Sequence, residues 1–482
     1  MKTIDYLVVI LYLAALLGIG WRFRTGQESG REYFLAGRRM GYFPIGLSVM
    51  VTSFSAINFL ALPGEVFGHG LYVLASFPVF FLSAWLVATF WMPSFLHEER
   101  ISLYGLLERR FDYRVRALAS GLFLFWRFFW MATALYATAR IMGVLTGVPL
   151  PVAVLVGGVV ATLYTAAGGI RAVMWTDVLQ FFVLFGGIAL AVGFALAGAG
   201  DSVQIAFDGG RLRPFAPFDA AYFSFDPTLR MTFWSALIGV SVAFLTRYGA
   251  DQMVVQRYFT AKNLSSARKG LWLNAFVSVL SLSLLVVFGV AVYVCSVRAG
   301  GEPGRIPPIA VIAGMIRDFP VGVTGVIAAA LLAATMSSID SGINSCCAAY
   351  VTDFHSRFFR KSPPERLLSG GIGAAVTLLA LVAVPLLAEA NTLFMIVNKF
   401  INGLGSPLLA LVLLTLLPWR VNASGVFYGG ICGVIASLAI SFGVNTLALH
   451  CYAVANLAVT LLFCLVLSGF FGSPALSRGF RP

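Results

Sequence analysis

Apolar segments long enough to cross a membrane follow one another along almost the whole chain. A helix needs about 20 apolar residues to span the roughly 30 Å hydrocarbon core of a bilayer. The sequence therefore predicts an all-α integral membrane protein, organised as a single transmembrane domain over residues 1–482. We count about thirteen predicted transmembrane helices, at residues 4–22, 42–66, 71–94, 117–146, 149–168, 174–199, 231–255, 270–297, 320–353, 368–388, 391–418, 422–444 and 448–471.

One of these segments, residues 320–353, carries polar side chains in its middle. They recur at i, i+3, i+4, i+7 and i+8 and so share one helical face, the stripe Ser337, Asp340, Ser341, Asn344 and Ser345. A carboxylate at the centre of a bilayer costs about 2.5–3.5 kcal/mol on insertion scales, and such residues usually mark ion pathways. Because oxygen ligands suit small hard cations, the stripe predicts an alkali-cation or proton site.

The distribution of charge indicates membrane topology. The chain is 59% hydrophobic and 11% charged, with a mean hydropathy of +0.90 and a net charge of +13. If the N-terminus lies outside, 22 of the 33 Lys and Arg residues, Arg257 among them, fall in inside loops and seven in outside segments. This is the asymmetry of the positive-inside rule. We expect a bacterial inner (plasma) membrane protein, with the N-terminus outside, the C-terminus inside and no nucleic-acid partner.

Motifs of other function classes are missing from the sequence. The six cysteines and four histidines have no metal-ligand spacing, and there is no Walker A loop, dinucleotide fingerprint or nucleophile elbow. We therefore expect no ATP coupling and no enzymatic activity. Residues 4–22 lack a small-residue cleavage site and a basic leader, so we expect a retained helix rather than a signal peptide.

Two polar interruptions break predicted helices. Residues 52–58 (TSFSAIN) interrupt an apolar run, and residues 246–251 (TRYGAD) do so five helices later. Irregular backbone at membrane depth is tolerated only where it is buried in protein or lines a watery cavity. Carriers built from inverted repeats use broken helices to present carbonyl groups to a cation. The spacing favours two five-helix repeats, with polar kinks that serve only packing as the alternative.

Four segments in order resemble the sodium/solute symporter family, which includes sodium-coupled sugar, iodide, monocarboxylate, vitamin, proline and sialic-acid carriers. The resemblance covers residues 4–444. It rests on residues 33–39 (YFLAGRR) with 46–48 and 63–65, on 164–170 (YTAAGGI) with 172–180 (AVMWTDVLQ), on 251–252 with 255–258 (VQRY), and on the serine-rich stripe. The resemblance implies a LeuT-type fold, with one extra helix at 4–22, repeats at 42–199 and 231–418, and two further helices over 422–471.

The resemblance also implies a main sodium site between the first broken helix and the serine-rich helix. Its ligands would be the carbonyl oxygens of Val51, Phe54 and Ala334 and the hydroxyl groups of Ser337 and Ser338. Carbonyl dipoles and hydroxyls can replace a hydration shell without a full charge, so the ion can also leave. The alternative for the two serines is hydrogen bonding to the preceding turn or close helix packing.

A second cation site is implied below the first. Some relatives bind a second sodium ion through an Asp and several serines, and the matching positions are Asp177, Ser337, Asp340 and Ser341. Those relatives have serine in place of Asp340. Two close carboxylates either share a proton or hold a cation. We expect a second cation there, with a proton as the competing occupant; alternatively, Asp177 lines only the exit route.

The substrate site is implied at mid-membrane, beside the main ion. Arg127 lies in a predicted transmembrane helix, where it could clamp a carboxylate or pair internally with an acid such as Asp251. Lys399 has the same two alternatives. The positions matched to substrate contacts are Ser53, Ser55, Asn58, Arg127, Arg247, Tyr248, Asn398 and Lys399.

These observations together predict a sodium-coupled symporter that takes up a small polar solute by alternating access. Its partners would be one or two Na⁺ ions, the solute and the lipid bilayer. The cationic side chains favour a carboxylate-bearing solute, either a monocarboxylate or a sialic-acid-like sugar acid. The alternatives are a sodium/sugar or polyol symporter, or a proton-coupled carrier of the same fold.

Overall fold

Helices account for nearly all of the regular structure among the described residues. The computed structural model describes residues 1–27, 29–96, 101–200, 203–209, 223–229, 232–301, 308–359, 364–386 and 390–472. Within these ranges there is no β-strand, and one isolated bridge joins Met40 to Ala261. The main helices are α1 (Thr3–Arg22), α2 (Tyr42–Ser53), α3 (Ala56–His69), α4 (Leu71–Leu96), α5 (Tyr113–Thr146), α6 (Leu150–Ala199), α7 (Ser235–Ala250), α8 (Gln252–Phe259), α9 (Leu264–Arg298), α10 (Val323–Tyr350), α11 (Glu365–Leu386), α12 (Ala390–Leu416), α13 (Ala423–Gly443) and α14 (Leu449–Phe470).

The number of transmembrane helices differs from the predicted thirteen. In the described ranges ten helices are long and apolar enough to span a membrane, or eleven if the bent pair α2 and α3 forms one span. The difference arises in two places. Residues 150–199 are counted as one helical run, although the non-helical Gly169 divides them into the two helices that the sequence predicts, and α7 is too short to span by itself.

The long run α6 bends sharply at Gly169. This residue has φ 55° and ψ −158°, a conformation that side chains with a Cβ rarely adopt. A Cβ at this position would also lie 2.7 Å from the carbonyl oxygen of Tyr33. Glycine is therefore required at this position. The bend allows Tyr164, before it, and Asp177, after it, to contact the same buried polar region.

The first predicted break is present between α2 and α3. Phe54 and Ser55 are extended, and the two helix axes differ by 62°. Asn58 caps the new helix, because its Oδ1 accepts hydrogen bonds from the Ser55 N–H (3.2 Å) and the Ser55 hydroxyl (2.7 Å). These polar side chains satisfy backbone groups that the break would otherwise leave unpaired.

A second break separates α7 from α8. Asp251 is extended, with φ −84° and ψ 113°, and its Oδ1 accepts a hydrogen bond from the Met253 N–H at 2.9 Å. The carboxylate therefore caps α8, as Asp commonly does at the start of a helix. Both interruptions predicted from polar sequence within apolar runs are confirmed.

Helix α10 is the most buried of the spanning helices in the described part of the chain and packs against α1, α2, α5, α6 and α8. Its N-terminal end is fixed by Asp5 of α1. The Asp5 carboxylate accepts hydrogen bonds from the N–H groups of Gly322 (2.7 Å) and Gly325 (3.0 Å). The first N–H groups of a helix have no partner within it, so Asp5 provides one.

The other end of α10 continues into a turn at Val351–His355 that holds Asp353. Its buried carboxylate accepts hydrogen bonds from Arg116 Nε (2.9 Å) and from the hydroxyls of Ser102 and Ser120 (both 2.7 Å). We expect Asp353→Asn to lower the free energy of unfolding by about 1.5–3 kcal/mol, because Arg116 loses hydrogen bonds to a buried carboxylate and keeps Glu108 as its acidic partner. Thermal unfolding in detergent measures the effect.

The control for this variant is Glu32→Gln, which removes the exposed ion pair between Glu32 and Arg39. Exposed pairs contribute about 0–1 kcal/mol, so its unfolding temperature should stay close to that of the parent protein. Equal unfolding temperatures for the Asp353 and Glu32 variants would contradict a structural role for the Asp353 network.

Candidate ion and solute site

The end of α2 meets the middle of α10 at a group of oxygen atoms. Ser337 Oγ lies 3.1 Å from the carbonyl oxygens of both Val51 and Ala334. Ser338 Oγ lies 3.2 Å from the Thr52 carbonyl oxygen and 3.4 Å from that of Ala334. These five residues, all buried, are called the helix-break site below.

The helix-break site has the composition of an alkali-cation site. The carbonyl groups of Val51 and Thr52 belong to the last turn of α2, where helix carbonyls have no partner within the helix. The aligned peptide dipoles also give this C-terminal end of α2 a partial negative charge, which favours a cation. Oxygen ligands without a full charge suit Na⁺ better than a softer metal. In this structure the serines also donate to the preceding turn of α10, the alternative that the sequence left open.

Most residues predicted for the main sodium site lie at this contact. Val51, Ala334, Ser337 and Ser338 are brought together, while Phe54 adjoins them through a hydrogen bond from its N–H to the Val51 carbonyl at 3.0 Å. The Thr52 carbonyl was not predicted. The sequence indicates this carbonyl group only through the position of Thr52, next to Val51 at the helix break.

A second buried group of polar residues lies around Asp177 of α6. Its Oδ2 accepts hydrogen bonds from the Ser48 hydroxyl (2.5 Å) and from Arg257 Nη2 (3.2 Å). Arg257 also donates from Nε to the Ser48 hydroxyl (2.6 Å) and from Nη2 to the Thr52 hydroxyl (2.8 Å) and to Ser341. The guanidinium group of Arg257 therefore fills the space between α2, α6 and α10.

Asp340 of α10 belongs to the same network. Its Oδ2 accepts a hydrogen bond from the Tyr164 hydroxyl at 2.6 Å, and its Oδ1 lies 3.0 Å from Ser341 Oγ. Ser341 Oγ is in turn 3.0 Å from the Thr52 hydroxyl. We call Asp177, Asp340, Ser341 and Arg257 the carboxylate cluster. Ser337, predicted for the second cation site, makes its contacts at the helix-break site instead.

The burial of Arg257 corrects the topology count, which placed this residue in an inside loop. It lies in α8, all eight residues of which are buried, and its side chain has no exposed surface. Removing it leaves 21 basic residues on the inside against seven outside. The sequence signal was its place in the VQRY segment that resembles the symporter family.

A cavity of about 210 Å³ lies beside the break. Arg247 lines it and donates a hydrogen bond from Nη1 to the Ser53 carbonyl oxygen at 3.3 Å. Phe77, Phe80 and Phe244 form part of its apolar wall. The predicted substrate residues that line the cavity are Ser53, Asn58, Arg247 and Tyr248.

The other predicted substrate residues lie elsewhere. Arg127 forms a buried ion pair with Asp251, which is the internal pairing that the sequence left open. Lys399 donates to Asn445 Oδ1 at 2.7 Å. Ser55 lies at the start of α3, where its hydroxyl donates to Asn58. Ser55, Arg127 and Lys399 are not among the described residues that line the cavity. The side chain of Asn398 lies outside the described residues.

Residues 33–433 match the family model described as the sodium:solute symporter family. The chain belongs to this family. It is therefore a sodium-coupled solute symporter with Na⁺ as its coupling ion, and its apolar helices make it a multi-pass membrane protein.

Named relatives transport different solutes. The sodium/sialic acid symporter NanT of Aliivibrio fischeri is 32% identical over 464 residues, covering 91% of this chain and 86% of its own. The human sodium-coupled monocarboxylate transporter 1 is 30% identical over 455 residues, covering 91% and 73%. A solved Na⁺-coupled sialic acid symporter, in a substrate-bound outward-open state, matches with a TM-score of 0.87 at 25% identity, covering 98% of this chain and 99% of its own. The fold is thus that of the LeuT-type transporters.

Proposed function

We propose that this symporter takes up a small carboxylate-bearing solute together with Na⁺ by alternating access. One observation carries the proposal: the helix-break site and the cavity meet at the same short segment. Val51 and Thr52 present their carbonyl groups to α10, while the next two residues, Ser53 and Phe54, line the cavity. An ion that fixes this segment would also shape the solute cavity, which couples the two binding events.

We assign the main sodium ligands to the carbonyl oxygens of Val51, Phe54 and Ala334 and to the hydroxyls of Ser337 and Ser338. On binding, the ion would replace the hydroxyl-to-carbonyl hydrogen bonds, and the hydroxyl groups would turn their lone pairs toward it. The bound Na⁺ would thus link the C-terminal end of α2 to the middle of α10, because both helices supply oxygen ligands to it. Loss of the ion would leave only the hydroxyl-to-carbonyl hydrogen bonds between the two helices, which would weaken their contact and ease the rocking between outward and inward states.

Arg247 supports a carboxylate as the solute. Within the described ranges its side chain has one hydrogen bond and no carboxylate within ion-pair distance. Arg247 is half-buried at the cavity wall, and a carboxylate can bind its guanidinium group through two parallel hydrogen bonds. The Ser53 hydroxyl, which has no hydrogen-bond partner among the described residues, is available to a solute hydroxyl.

The cavity volume favours a short monocarboxylate over a sugar acid. Pockets for drug-sized ligands usually enclose about 300–1,000 Å³, and this cavity encloses about 210 Å³. A sodium/sugar or polyol symporter is the second candidate, because Ser53, Asn58 and Tyr248 offer neutral polar groups to a hydroxylated solute.

Thermal stabilisation of the purified protein tests this function. The panel contains pyruvate, lactate, sialic acid, glucose and mannitol, each in sodium and in choline chloride. We expect stabilisation by pyruvate or lactate only in sodium, reaching about 2.7 kcal/mol at a ligand concentration 100 times Kd. Stabilisation by glucose or mannitol alone would contradict the carboxylate assignment. Equal stabilisation in choline would contradict sodium coupling.

We also propose the two inverted repeats at 42–199 and 231–418, with residues 4–22 before them and 422–471 after them in one domain. The support is positional: α2/α3 and α7/α8, the helix pairs at the start of the two ranges, are both broken. Halves that fail to superpose about a two-fold axis in an experimental structure would contradict this arrangement.

The proposed orientation has the N-terminus outside the plasma membrane and the C-terminus inside. It rests on the 21 basic residues assigned to the inside against seven outside. The test uses a cysteine added at the C-terminus of the protein. Labelling of this cysteine in intact cells by a membrane-impermeant maleimide would contradict the proposed orientation.

A further inference from the structure

Three membrane-spanning segments come together at one place on the surface of the protein. Helix α1 ends at Arg22, α6 bends at Gly169, and α11 begins at Glu365. A Cβ on Gly168 would lie 3.1 Å from the carbonyl oxygen of Gly20, so the end of α1 packs directly against the bend. Because each of these helices is long and apolar enough to span a bilayer, their ends lie at the depth of the lipid headgroups.

Four exposed arginine side chains gather at this place. We call them the arginine cluster: Arg22, Arg24, Arg171 and Arg366. The guanidinium carbons of Arg22 and Arg171 lie 5.9 Å and 5.0 Å from the centre of the same Phe23 ring. Arg366 donates a hydrogen bond to the backbone carbonyl of Arg24. The cluster therefore contains residues of α11, of the α6 bend and of the end of α1.

The arginine cluster has no acidic partner in the part of the chain that the structure describes. None of its members forms an ion pair there. Glu365 precedes Arg366, but its carboxylate faces Gly30, where a Cβ would lie 3.7 Å from Oε1. Neighbouring positive charges repel each other, and an anion bound between them would offset this repulsion. Phosphate is well suited, because arginine can bind it through two parallel hydrogen bonds.

The surroundings of the cluster indicate a lipid phosphate rather than a soluble one. Trp21 is 66% exposed, and the guanidinium carbon of Arg24 lies 3.4 Å from the centre of its ring. Leu367, next to Arg366, is 74% exposed. Tryptophan is enriched where a membrane protein meets the headgroup region. Large apolar side chains exposed beside the arginines are therefore typical of a surface that faces lipid.

An apolar groove of about 300 Å³ lies between α6 and α11, the helices that carry Arg171 and Arg366. It is lined by Leu155, Val159, Thr162, Leu163, Ala374, Thr377, Leu378 and Leu381. Ala374 is eight residues beyond Arg366, which is about 12 Å along the helix, and the hydrocarbon of one leaflet is about 15 Å thick. An acyl chain whose headgroup is at the cluster can therefore reach the groove.

We propose that the arginine cluster binds the headgroup phosphate of an anionic phospholipid, with one acyl chain of that lipid in the groove between α6 and α11. The bound lipid would hold the end of α1, the α6 bend and the start of α11 together. In the proposed orientation the cluster faces the cytoplasmic leaflet, whose anionic lipids attract basic segments. The site does not depend on which solute the protein carries.

Native mass spectrometry of the full-length protein in detergent tests this lipid site. The protein is titrated with dioleoylphosphatidylglycerol or with dioleoylphosphatidylcholine, and we expect tighter binding of the anionic lipid. The double variant Arg22→Gln/Arg171→Gln should raise the Kd for phosphatidylglycerol by about 30-fold, because each arginine near the headgroup contributes about fivefold. Equal binding of the two lipids by the parent protein would overturn the proposal.

Arg114→Gln/Arg420→Gln is the matched control. Both arginines are exposed and are assigned to the same side of the membrane, so the control removes the same charge from another part of that surface. Its Kd for phosphatidylglycerol should stay within about twofold of the parent value, because the arginine cluster is intact. An equal loss in the two double variants would show a general effect of charge and would contradict a specific site.

Two further measurements separate the lipid from other ligands. Leu378→Trp narrows the groove at a position that is 62% exposed, where the fold should tolerate a larger side chain. It should raise the Kd for dioleoylphosphatidylglycerol and leave that for the dihexanoyl lipid unchanged, because only the long chain reaches the groove. An unchanged Kd for the long-chain lipid would contradict binding in the groove. Displacement of the lipid by equimolar inorganic phosphate would show a site for soluble anions and overturn the lipid assignment.

Discussion

Replacing both Ser337 and Ser338 with alanine should abolish Na⁺-dependent uptake at ordinary Na⁺ concentrations. The double variant removes two of the five proposed oxygen ligands and leaves the carbonyl groups of Val51 and Ala334 without these hydroxyl partners. A hydrogen bond or contact to a charged group is worth about 1.5–3 kcal/mol, so the loss is about 3–6 kcal/mol. Apparent Na⁺ affinity should fall by at least about 100-fold, measured as the half-saturating Na⁺ concentration for uptake into proteoliposomes.

Ser345→Ala is the matched control for this experiment. Ser345 lies on the same buried stripe of α10, but its hydroxyl donates only to the Gly342 carbonyl one turn earlier, at 3.1 Å. The control makes the same kind of change, Ser to Ala, at one position, and it leaves the proposed ion ligands intact. Half-saturating Na⁺ should therefore stay close to the parent value. Normal sodium dependence in the double variant would show that the helix-break site does not hold the coupling ion.

Local features of the structure follow directly from sequence pattern. Polar residues spaced at helical intervals predict one face of α10. Ser337 of that face meets α2, together with the adjacent Ser338. The polar segments at 52–58 and 246–251 predict helix breaks, because polar side chains there can satisfy freed backbone groups. The pairing of the first break with α10 came from the family resemblance, since periodicity says nothing about which helices touch.

The position of Arg257 could not be obtained in the same way. Its partners Ser48, Asp177 and Ser341 lie on three other helices, 209, 80 and 84 residues away in sequence. Counting basic residues between apolar segments assigns every such residue to a loop. A short polar helix packed inside the protein breaks that assumption, because its burial depends on hydrogen-bond partners that only the tertiary structure supplies.

Tertiary contacts also separate the residues predicted to bind the solute. Arg127, Arg247 and Lys399 are equivalent in sequence, since each is a cation in or near an apolar helix. The structure distinguishes them by their partners: Asp251 for Arg127, Asn445 for Lys399 and the cavity for Arg247. Lys399 and Arg247 both lack an acidic partner in the described residues, but only Arg247 of the two lines the cavity, where a carboxylate ligand could pair with it. The three residues should therefore respond differently to substitution.

Arg247→Gln should lose carboxylate binding while Na⁺ still binds. A hydrogen bond to a charged group contributes about 1.5–3 kcal/mol, so loss of the guanidinium group should raise Kd for the stabilising acid by about 30-fold. Arg247→Lys should recover only part of this loss, because an ammonium group cannot form two parallel hydrogen bonds with a carboxylate. Titration calorimetry in sodium chloride measures both effects.

Lys399→Gln provides the comparison that decides between the two cations. Lys399 contacts Asn445 and does not line the cavity, so its loss should leave the Kd for the acid within about twofold of the parent value. If Lys399→Gln raised the Kd for the acid and Arg247→Gln did not, the carboxylate would bind nearer to α12 than to the helix break. Arg247 would then have to be stabilised by another group, and the proposed contact between ion and solute through residues 51–54 would fail with it.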